Sequence, residues 1–556
     1  MNKVIQKSWP TDVRKQLTYR LGEIPLHEYV KKNAKYQPDR TALQFYGKAI
    51  TWHALDDAID RLSQFFIEKG IQKGDRIGLY MQNCPQYIIG HFAVQRIGGV
   101  VVPLNPMYKE TELIYLVNEA AMRIIIAGQE LYSRIQNIAQ EIKSLEFTIT
   151  TNYADFLPEE LAIPFPEELM LPKQSSDYAF DLLSIIDETD PLQDYPVLDI
   201  WEDVALLVFT SGTTGRPKGA MLTHGNALFK TAAAVSSNQI RSNDVLLAVA
   251  PLCHIAGMLM GVNILVYSGC ETVLLTKFEP QTAITAIEKY QVTTWYSIAV
   301  MNTAILNMPG IEERNLTSLR LNMATSFGLP VTEPLALRWR DVTDGCLMFE
   351  AAYGLSETHT GDTFMPQENV KYGTCGIPTY ETEIKIIESS TGEEVPIGTQ
   401  GEIIVKNPGV FKGYLNRPEA TAETLRDGWV YTGDIGKLDE DGYLYYLGRV
   451  KELIKCSGYS VFPEDVEALL GKHPAVLQSV AVGIPDKKRG ESVKAFVVLK
   501  PAYKGTIQVS EIITWAKENM AAYKYPREIE FIESLPTTSS GKVLRRLLKK
   551  EREADD

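Results

Sequence analysis

The sequence is short of several things. No apolar run approaches the roughly 18 residues that a membrane-spanning helix needs, so no transmembrane segment is expected. Residues 1–20 are polar and charged throughout, without the apolar stretch of a signal peptide. The six cysteines (Cys84, Cys253, Cys270, Cys346, Cys375 and Cys456) lie far apart with no C-x-x-C pair. That pattern excludes a disulfide framework and a cysteine zinc site, and it fits reduced thiols in a cytoplasm. Basic residues are outnumbered, 56 Lys and Arg against 70 Asp and Glu, for a net charge of −14. A nucleic-acid-binding protein would show the opposite balance. No strongly basic amphipathic helix stands out, so any membrane contact is expected to be transient.

What is present is a long, ordinary globular composition. The 556 residues exceed what one hydrophobic core can organise, so two or more domains are expected. Residues 25–130 alternate helical and strand patterns: helices near 26–34, 55–66, 85–95 and 110–119, strands near 41–45, 49–51, 76–80, 99–103 and 122–126. This rhythm implies α/β structure, parallel sheets with crossover helices. Residues 150–200 are rich in proline and acids with no clear period, and read as a long surface connection. Toward the C-terminus, helices are expected at 463–470 and 509–519, and strands at 477–482, 493–499 and 529–532. The basic stretch 545–550 reads as solvated surface.

One stretch concentrates chemistry. The apolar run 204–209 reads as a buried strand and breaks into Thr210, Ser211, Gly212, Thr213, Thr214, Gly215, Arg216, Pro217, Lys218 and Gly219. Glycines let the backbone approach a ligand closely, and successive N–H groups in such a turn make an anion-binding concavity. Four hydroxyls, with Arg216 and Lys218, complete the composition of a polyphosphate cradle. It is not a Walker A loop, because no G-K-[ST] opens a helix and Pro217 blocks immediate helix entry.

This loop resembles the signature loop of the AMP-forming acyl-CoA synthetases, in the adenylate-forming superfamily. The resemblance recurs in order over residues 25–550. The second motif is Ala351-Ala352-Tyr353-Gly354-Leu355-Ser356-Glu357-Thr358, where Glu357 is a hard oxygen donor suited to Mg²⁺. Asp434 follows in Tyr431-Thr432-Gly433-Asp434, then Arg449 and Lys451 in the run 448–459, and finally Lys542 in Ser539-Ser540-Gly541-Lys542.

The resemblance implies a large N-terminal domain of α/β subdomains (1–447), a hinge (448–451) and a small mobile α+β C-terminal domain (452–556). It implies ATP, Mg²⁺ and CoA, and an enzyme that activates a carboxylic acid to acyl-AMP and passes it to the CoA thiol. It implies Lys542, Glu357 and Thr210 as catalytic, with Thr210 and Glu357 holding the metal. The nucleotide would meet Thr210, Ser211, Gly212, Thr213, Thr214, Gly215, Lys218, Ala352, Tyr353, Gly354, Ser356, Asp434, Arg449 and Lys542. His254, Met258 and Gly328 would flank the acid, Gly458 and Tyr459 the thiol arm, and Lys451 would be the hinge.

His254 also sits just after a strand end, a frequent site position in open α/β sheets. No second His or carboxylate stands at ligand spacing, so a metal role for it is disfavoured. Trp295, Tyr296, Ile298 and Met301 are candidate tunnel residues. Two departures bear on pocket shape: Ala299 stands where relatives often carry proline, and Phe327 and Leu329 are larger than usual in a Gly-Gly-Ala-Pro-like stretch. No Arg or Lys stands out among pocket candidates, which disfavours a second carboxylate on the substrate; the apolar stretches fit a fatty acyl tail, and the resemblance to fatty acyl-CoA ligases implies a medium- or long-chain fatty acid. Aryl acids and a non-CoA acceptor are the alternatives.

Overall fold

The computed structural model describes residues 8–174, 176–210, 216–327, 329–456, 459–486, 489–538 and 542–550. Two seven-stranded sheets make up its bulk. One runs, in spatial order, Ala179–Asp181, Phe147–Thr151, Ile124–Gly128, Arg76–Tyr80, Val100–Leu104, Val204–Thr210 and Lys218–Thr223. Its strands are parallel except the last, which folds back antiparallel. Val100–Leu104 and Ile124–Gly128 are buried at every position, as expected of strands covered on both faces. The helix Pro85–Arg96 is likewise buried all round.

The second sheet runs Leu347–Glu350, Leu321–Thr325, Thr294–Ile298, Val245–Ala248, Glu271–Leu274, Thr41–Phe45 and Lys48–Thr51. It is parallel up to the closing hairpin Thr41–Phe45/Lys48–Thr51. The hairpin turn places Tyr46 at φ 51° and Gly47 at φ 115°, the left-handed pair that matches strand twist. The expected helix at 55–66 extends over Trp52–Glu68, where the Thr51 side chain accepts the Ala54 N–H at 3.2 Å as an N-cap.

A five-stranded sheet follows, built on Trp429–Leu438 between Gly401–Lys406 and Leu444–Arg449. A second five-stranded sheet, with helices Pro463–Leu470 and Val509–Asn519 beside it, forms a smaller C-terminal domain. That domain has its own core, including Val466, Val493, Val497 and Ile512. The whole is a mixed α/β fold with parallel sheets in the large N-terminal part. Among the described residues no helix is long and apolar enough to cross a membrane.

Two expectations fail. The stretch 150–200 is more than a surface connection: it supplies the edge strand Ala179–Asp181 and the helix Leu182–Glu188, which buries Leu182 and Ile185. Elements of three and seven residues are too short to show a period. The basic stretch 545–550 is not simply solvated. It forms the helix Arg545–Lys550, with Leu548 9% exposed and the Arg545 side chain 17% exposed among carboxylates. Charge alone read as surface, while the partners lie 78 and 93 residues away.

Candidate active site

A single cleft of about 2680 Å³ opens where the sheets meet, and both the large part and the small domain line it. Each motif enters it from an element end. Thr210 ends the strand Val204–Thr210, and Lys218 begins the returning strand opposite it. That returning strand runs into the helix His224–Ser237 through a capping box: Thr223 accepts the Asn226 N–H at 3.2 Å, and Asn226 accepts the Thr223 N–H at 2.8 Å. The Lys218 ammonium stands 4.2 Å from the Tyr414 ring centroid. Tyr414 in turn donates its phenolic hydrogen to Glu357 Oε1 at 2.6 Å, and Phe411 N–H bonds the Glu357 carbonyl at 2.8 Å. Thr210 and Glu357 thus border one cleft as two hard oxygen donors, with a lysine between them.

Under the Glu357 turn lies a fully buried ion pair. Lys230 Nζ meets Asp362 Oδ1 at 2.6 Å, with both side chains at 0% exposure. Asp362 also accepts from Thr358 Oγ1 at 2.6 Å and Asn407 Nδ2 at 2.8 Å, so its charge is satisfied on every side. Burial pulls the Lys230 ammonium down, opposed by Asp362. Gly354 packs so tightly that a Cβ there would collide with the Thr360–Gly361 backbone. Its glycine is required by the chain itself, not only by close approach of a ligand.

At the far wall Tyr353 donates to Asp434 Oδ2 at 2.8 Å, and Arg449 Nε lies 2.9 Å from Asp434 Oδ1. Burial pushes the Asp434 carboxyl up, opposed by Arg449, the Tyr353 phenol and Lys542. Lys542 completes this wall from the small domain. It is exposed at the cleft mouth, yet its ammonium sits among protein charges. Burial and then Arg449 draw it down, while Asp434 and Glu452 hold it up. Its field also reaches His254, whose imidazole is lowered to about 4 by burial and then by Lys542. Lys542, Asp434, Arg449 and His254 therefore converge on one space although they span 288 positions of sequence, 542 − 254. This placement of a lysine against a carboxylate and a histidine is suited to neutralising two anions brought together.

The geometry is that of a nucleotide-and-acid site, and comparison with known proteins agrees. The family model described as AMP-binding enzyme matches residues 30–415, and the model for AMP-binding enzyme C-terminal domain matches residues 465–542. The chain belongs to the AMP-binding enzyme family. A long-chain-fatty-acid–CoA ligase of Bacillus subtilis is 37% identical over 98% of this chain and 98% of its own length. A feruloyl-CoA synthase of an Amycolatopsis species is 34% identical over 92% of this chain and 96% of its own. Among solved structures, ATP-bound MatB from Rhodopseudomonas palustris superposes with TM-score 0.82 at 26% identity, covering 95% of this chain and 99% of that one.

Within this AMP-binding enzyme, Thr210, Lys218, His254, Ala352, Tyr353, Gly354, Ser356, Glu357, Asp434, Arg449 and Lys542 all line the cleft. Ser211, Gly212, Thr213, Thr214, Gly215, Gly328 and Gly458 lie outside the described residues. Lys451 falls in the short turn Val450–Glu452, and Tyr459 opens the strand Tyr459–Val461, paired with Cys456. Met258 is a correction: it is 0% exposed and packs in the large core, not on the cleft. The helix that starts at Ile255 turns Ile255, Ala256, Leu259 and Met260 to the cleft instead. Of the tunnel candidates only Tyr296 lines it. Trp295 is 0% exposed and packs on Trp339 and Phe278, Ile298 is buried, and Met301 is half-buried against the large core.

Sequence reasoning passed over two residues of the cleft, Tyr414 and Glu350, and one buried beneath it, Lys230. Neither Tyr414 nor Lys230 has a motif around it. Glu350 ends its strand at the cleft, accepts from the Ser326 N–H at 3.2 Å and from the Ser326 hydroxyl, and is pushed up to about 7 by burial. A carboxylate directly before Ala351-Ala352-Tyr353 was the available signal.

Proposed function

We propose that this AMP-binding enzyme is an acid–thiol ligase that joins a medium- or long-chain fatty acid to CoA at the expense of ATP. In the first half-reaction a carboxylate oxygen attacks the α-phosphorus, the bond to the β-phosphate bridging oxygen breaks, and pyrophosphate leaves. In the second, the CoA thiolate attacks the acyl carbon, the carbon–oxygen bond to AMP breaks, and AMP leaves with the electron pair. The first step brings two anions together, so positioning and charge neutralisation carry it.

The roles follow the walls of the cleft. Lys542 bridges the incoming carboxylate and the α-phosphate. Asp434 accepts the ribose hydroxyls with Arg449 beside it, and Tyr353 offers its ring to the base. Lys218 and the loop 210–219 meet the outer phosphates. Glu357 and Thr210, with phosphate oxygens, are the donor set that would hold Mg²⁺, which when bound supplies neutralisation of phosphate charge. His254, kept neutral by burial, borders the acid without adding charge. Lys451 is the hinge about which the small domain, 452–556, would turn so that Lys542 withdraws and the thiol enters past Gly458 and Tyr459.

The observation that carries this reading is the convergence of Lys542 with Asp434, Arg449 and His254 in one cleft. The fatty tail is supported by the extension of the same void past Leu259 and Met260 to Ala234 and Ser237 on the helix His224–Ser237. The likeness to feruloyl-CoA synthase makes an aryl acid the second reading. ATP–pyrophosphate exchange with acetate, octanoate, palmitate, benzoate and coumarate tests both, with Lys542→Ala run beside wild type. Exchange that rises with octanoate or palmitate, and is abolished in the variant, is the expected result. Preference for coumarate or benzoate would replace the fatty acid. Exchange without a need for acid would overturn the reading.

A further inference from the structure

Arg545 faces three carboxylates at once. Its Nη1 donates to Glu452 Oε2 at 2.8 Å, its Nη2 donates to both oxygens of Glu467 at 2.8 Å, and Glu464 Oε1 stands 3.2 Å from Nη2. The guanidinium side chain is 17% exposed and the three acids 18–24%. A planar guanidinium spreads its donors over three nitrogens in one fixed fork, so it spans acids on different elements, whereas an ammonium offers its three donors from a single point. The elements matter. Glu452 closes the turn Val450–Glu452, and Glu464 and Glu467 lie on the helix Pro463–Leu470.

Arg545 is also the first residue after the loop that carries Lys542. That loop is tied to itself: Thr538 N–H bonds the Lys542 carbonyl at 2.8 Å, Lys542 N–H bonds Thr538 Oγ1 at 3.1 Å, and Leu544 N–H bonds the Pro536 carbonyl at 2.8 Å. These bonds tie the described residues around Lys542 to one another, so the direction of Lys542 depends on what anchors the helix that follows at Arg545. Finally, the cluster leans on the large part of the molecule. A Cβ on Gly448, at φ 127°, would collide with Glu464 Oε2, and that oxygen has no hydrogen-bond partner among the described residues. The cluster thus abuts the strand that delivers Arg449.

We propose that Arg545 is a positioning residue for the first half-reaction: its three-carboxylate anchorage aims Lys542 at Asp434 and ties that aim to the turn at Lys451. The proposal rests on the role assigned to Lys542 above. It predicts a split between half-reactions, because Lys542 serves adenylation and withdraws for thioester formation. A loss of stability alone would slow both halves together.

The test uses the full chain, wild type beside Arg545→Met, Arg545→Lys, Glu452→Gln and Lys542→Ala. Adenylation is read as pyrophosphate exchange with the preferred acid of the panel, and thioester formation as conversion of the chemically prepared acyl-AMP with CoA. Arg545→Met is expected to slow exchange about a hundredfold through misplacement of the lysine, with thioester formation within about twofold of wild type. Arg545→Lys is expected to recover exchange only in part, since its donors sit on one nitrogen and do not reproduce the fork that spans Glu452 on one side and Glu467 on the other. If Arg545→Met fails to fold, Glu452→Gln gives the same split, about tenfold in exchange, while two carboxylates still hold the guanidinium. Equal loss in both halves, or exchange unchanged in Glu452→Gln and Arg545→Lys, overturns the proposal while leaving the function intact if Lys542→Ala abolishes exchange. Full exchange in Lys542→Ala overturns both.

Discussion

The Tyr414 phenol bonds Glu357 Oε1 at 2.6 Å while the Lys218 ammonium rests on the other side of the same ring. One aromatic side chain therefore fixes the carboxylate proposed for the metal and the lysine proposed for the outer phosphates. Tyr414→Phe keeps the ring and removes the bond. The KM for Mg-ATP is expected to rise about three- to tenfold, matching loss of one hydrogen bond to a charged group. The thermal midpoint should hold. An unchanged KM across a Mg²⁺ titration would show that Glu357 needs no such support.

The Lys230–Asp362 pair makes a different kind of prediction. Removing one partner leaves a charge buried without compensation, at a cost of about 3–5 kcal/mol. Lys230→Met should therefore lower the unfolding midpoint sharply and loosen the Glu357 turn above it. Adding Asp362→Asn removes the stranded charge but keeps an oxygen for Thr358 and Asn407. The double variant should be more stable than Lys230→Met alone. Thermal unfolding of the four proteins decides it, and simple additivity of the two losses would contradict the pairing.

Much of this was legible in the chain, and the limits are instructive. The strands expected at 99–103 and 122–126 form one to two residues later, at Val100–Leu104 and Ile124–Gly128, and the helices expected at 463–470 and 509–519 form with those bounds. The cleft residues with motifs around them, Thr210, Glu357, Asp434, Arg449 and Lys542, also assembled. What was not legible depended on distant partners. Lys230 meets Asp362 across 132 residues, Tyr414 meets Glu357 across 57, and Arg545 looked like tail charge. Met258 is expected beside the acid through the resemblance alone; the short helix Ile255–Met258 packs it in the core while Ile255 and Ala256 line the cleft.

The end of the cleft proposed for the acyl tail offers a size test. Ala234 lines it from the helix His224–Ser237. Ala234→Phe places a ring in the void and should cut kcat/KM for palmitate at least about tenfold while sparing acetate, as steric exclusion of a longer chain requires. Equal loss for both acids would mean that the tail lies elsewhere.

Acid should destabilise the protein, and the sign can be worked out. Burial lowers His91 to about 3 and His224 and His359 to about 4, and it lowers His27 well below the usual imidazole value. Stability held by these neutral rings is complete above about pH 6.5 and is lost as pH falls toward 4. Burial raises Glu350 and Glu464 to about 7, so their contribution runs the other way, complete below about pH 4.5 and lost as pH rises through 7. With His254, also lowered to about 4, five imidazoles stand against the two carboxyls raised to about 7, so the thermal midpoint should drop between pH 7 and pH 5. His224→Gln should flatten the slope by up to about 1.4 kcal/mol per pH unit. A midpoint that climbs on acidification would refute the assignment.

Lys542 reaches the cleft from the small domain, whereas Asp434 and Arg449 reach it from the sheet of the large part. On the function proposed above, a molecule that engaged both sides would act as a strut across a joint at Lys451. Its affinity and the closure of that joint would share one equilibrium, and a ligand held by the lysine as well as by Asp434 would leave only as the joint opened. Residence time of an acyl-adenylate, or of an inert mimic of one, would thereby be a mechanical property of this chain as much as a chemical one.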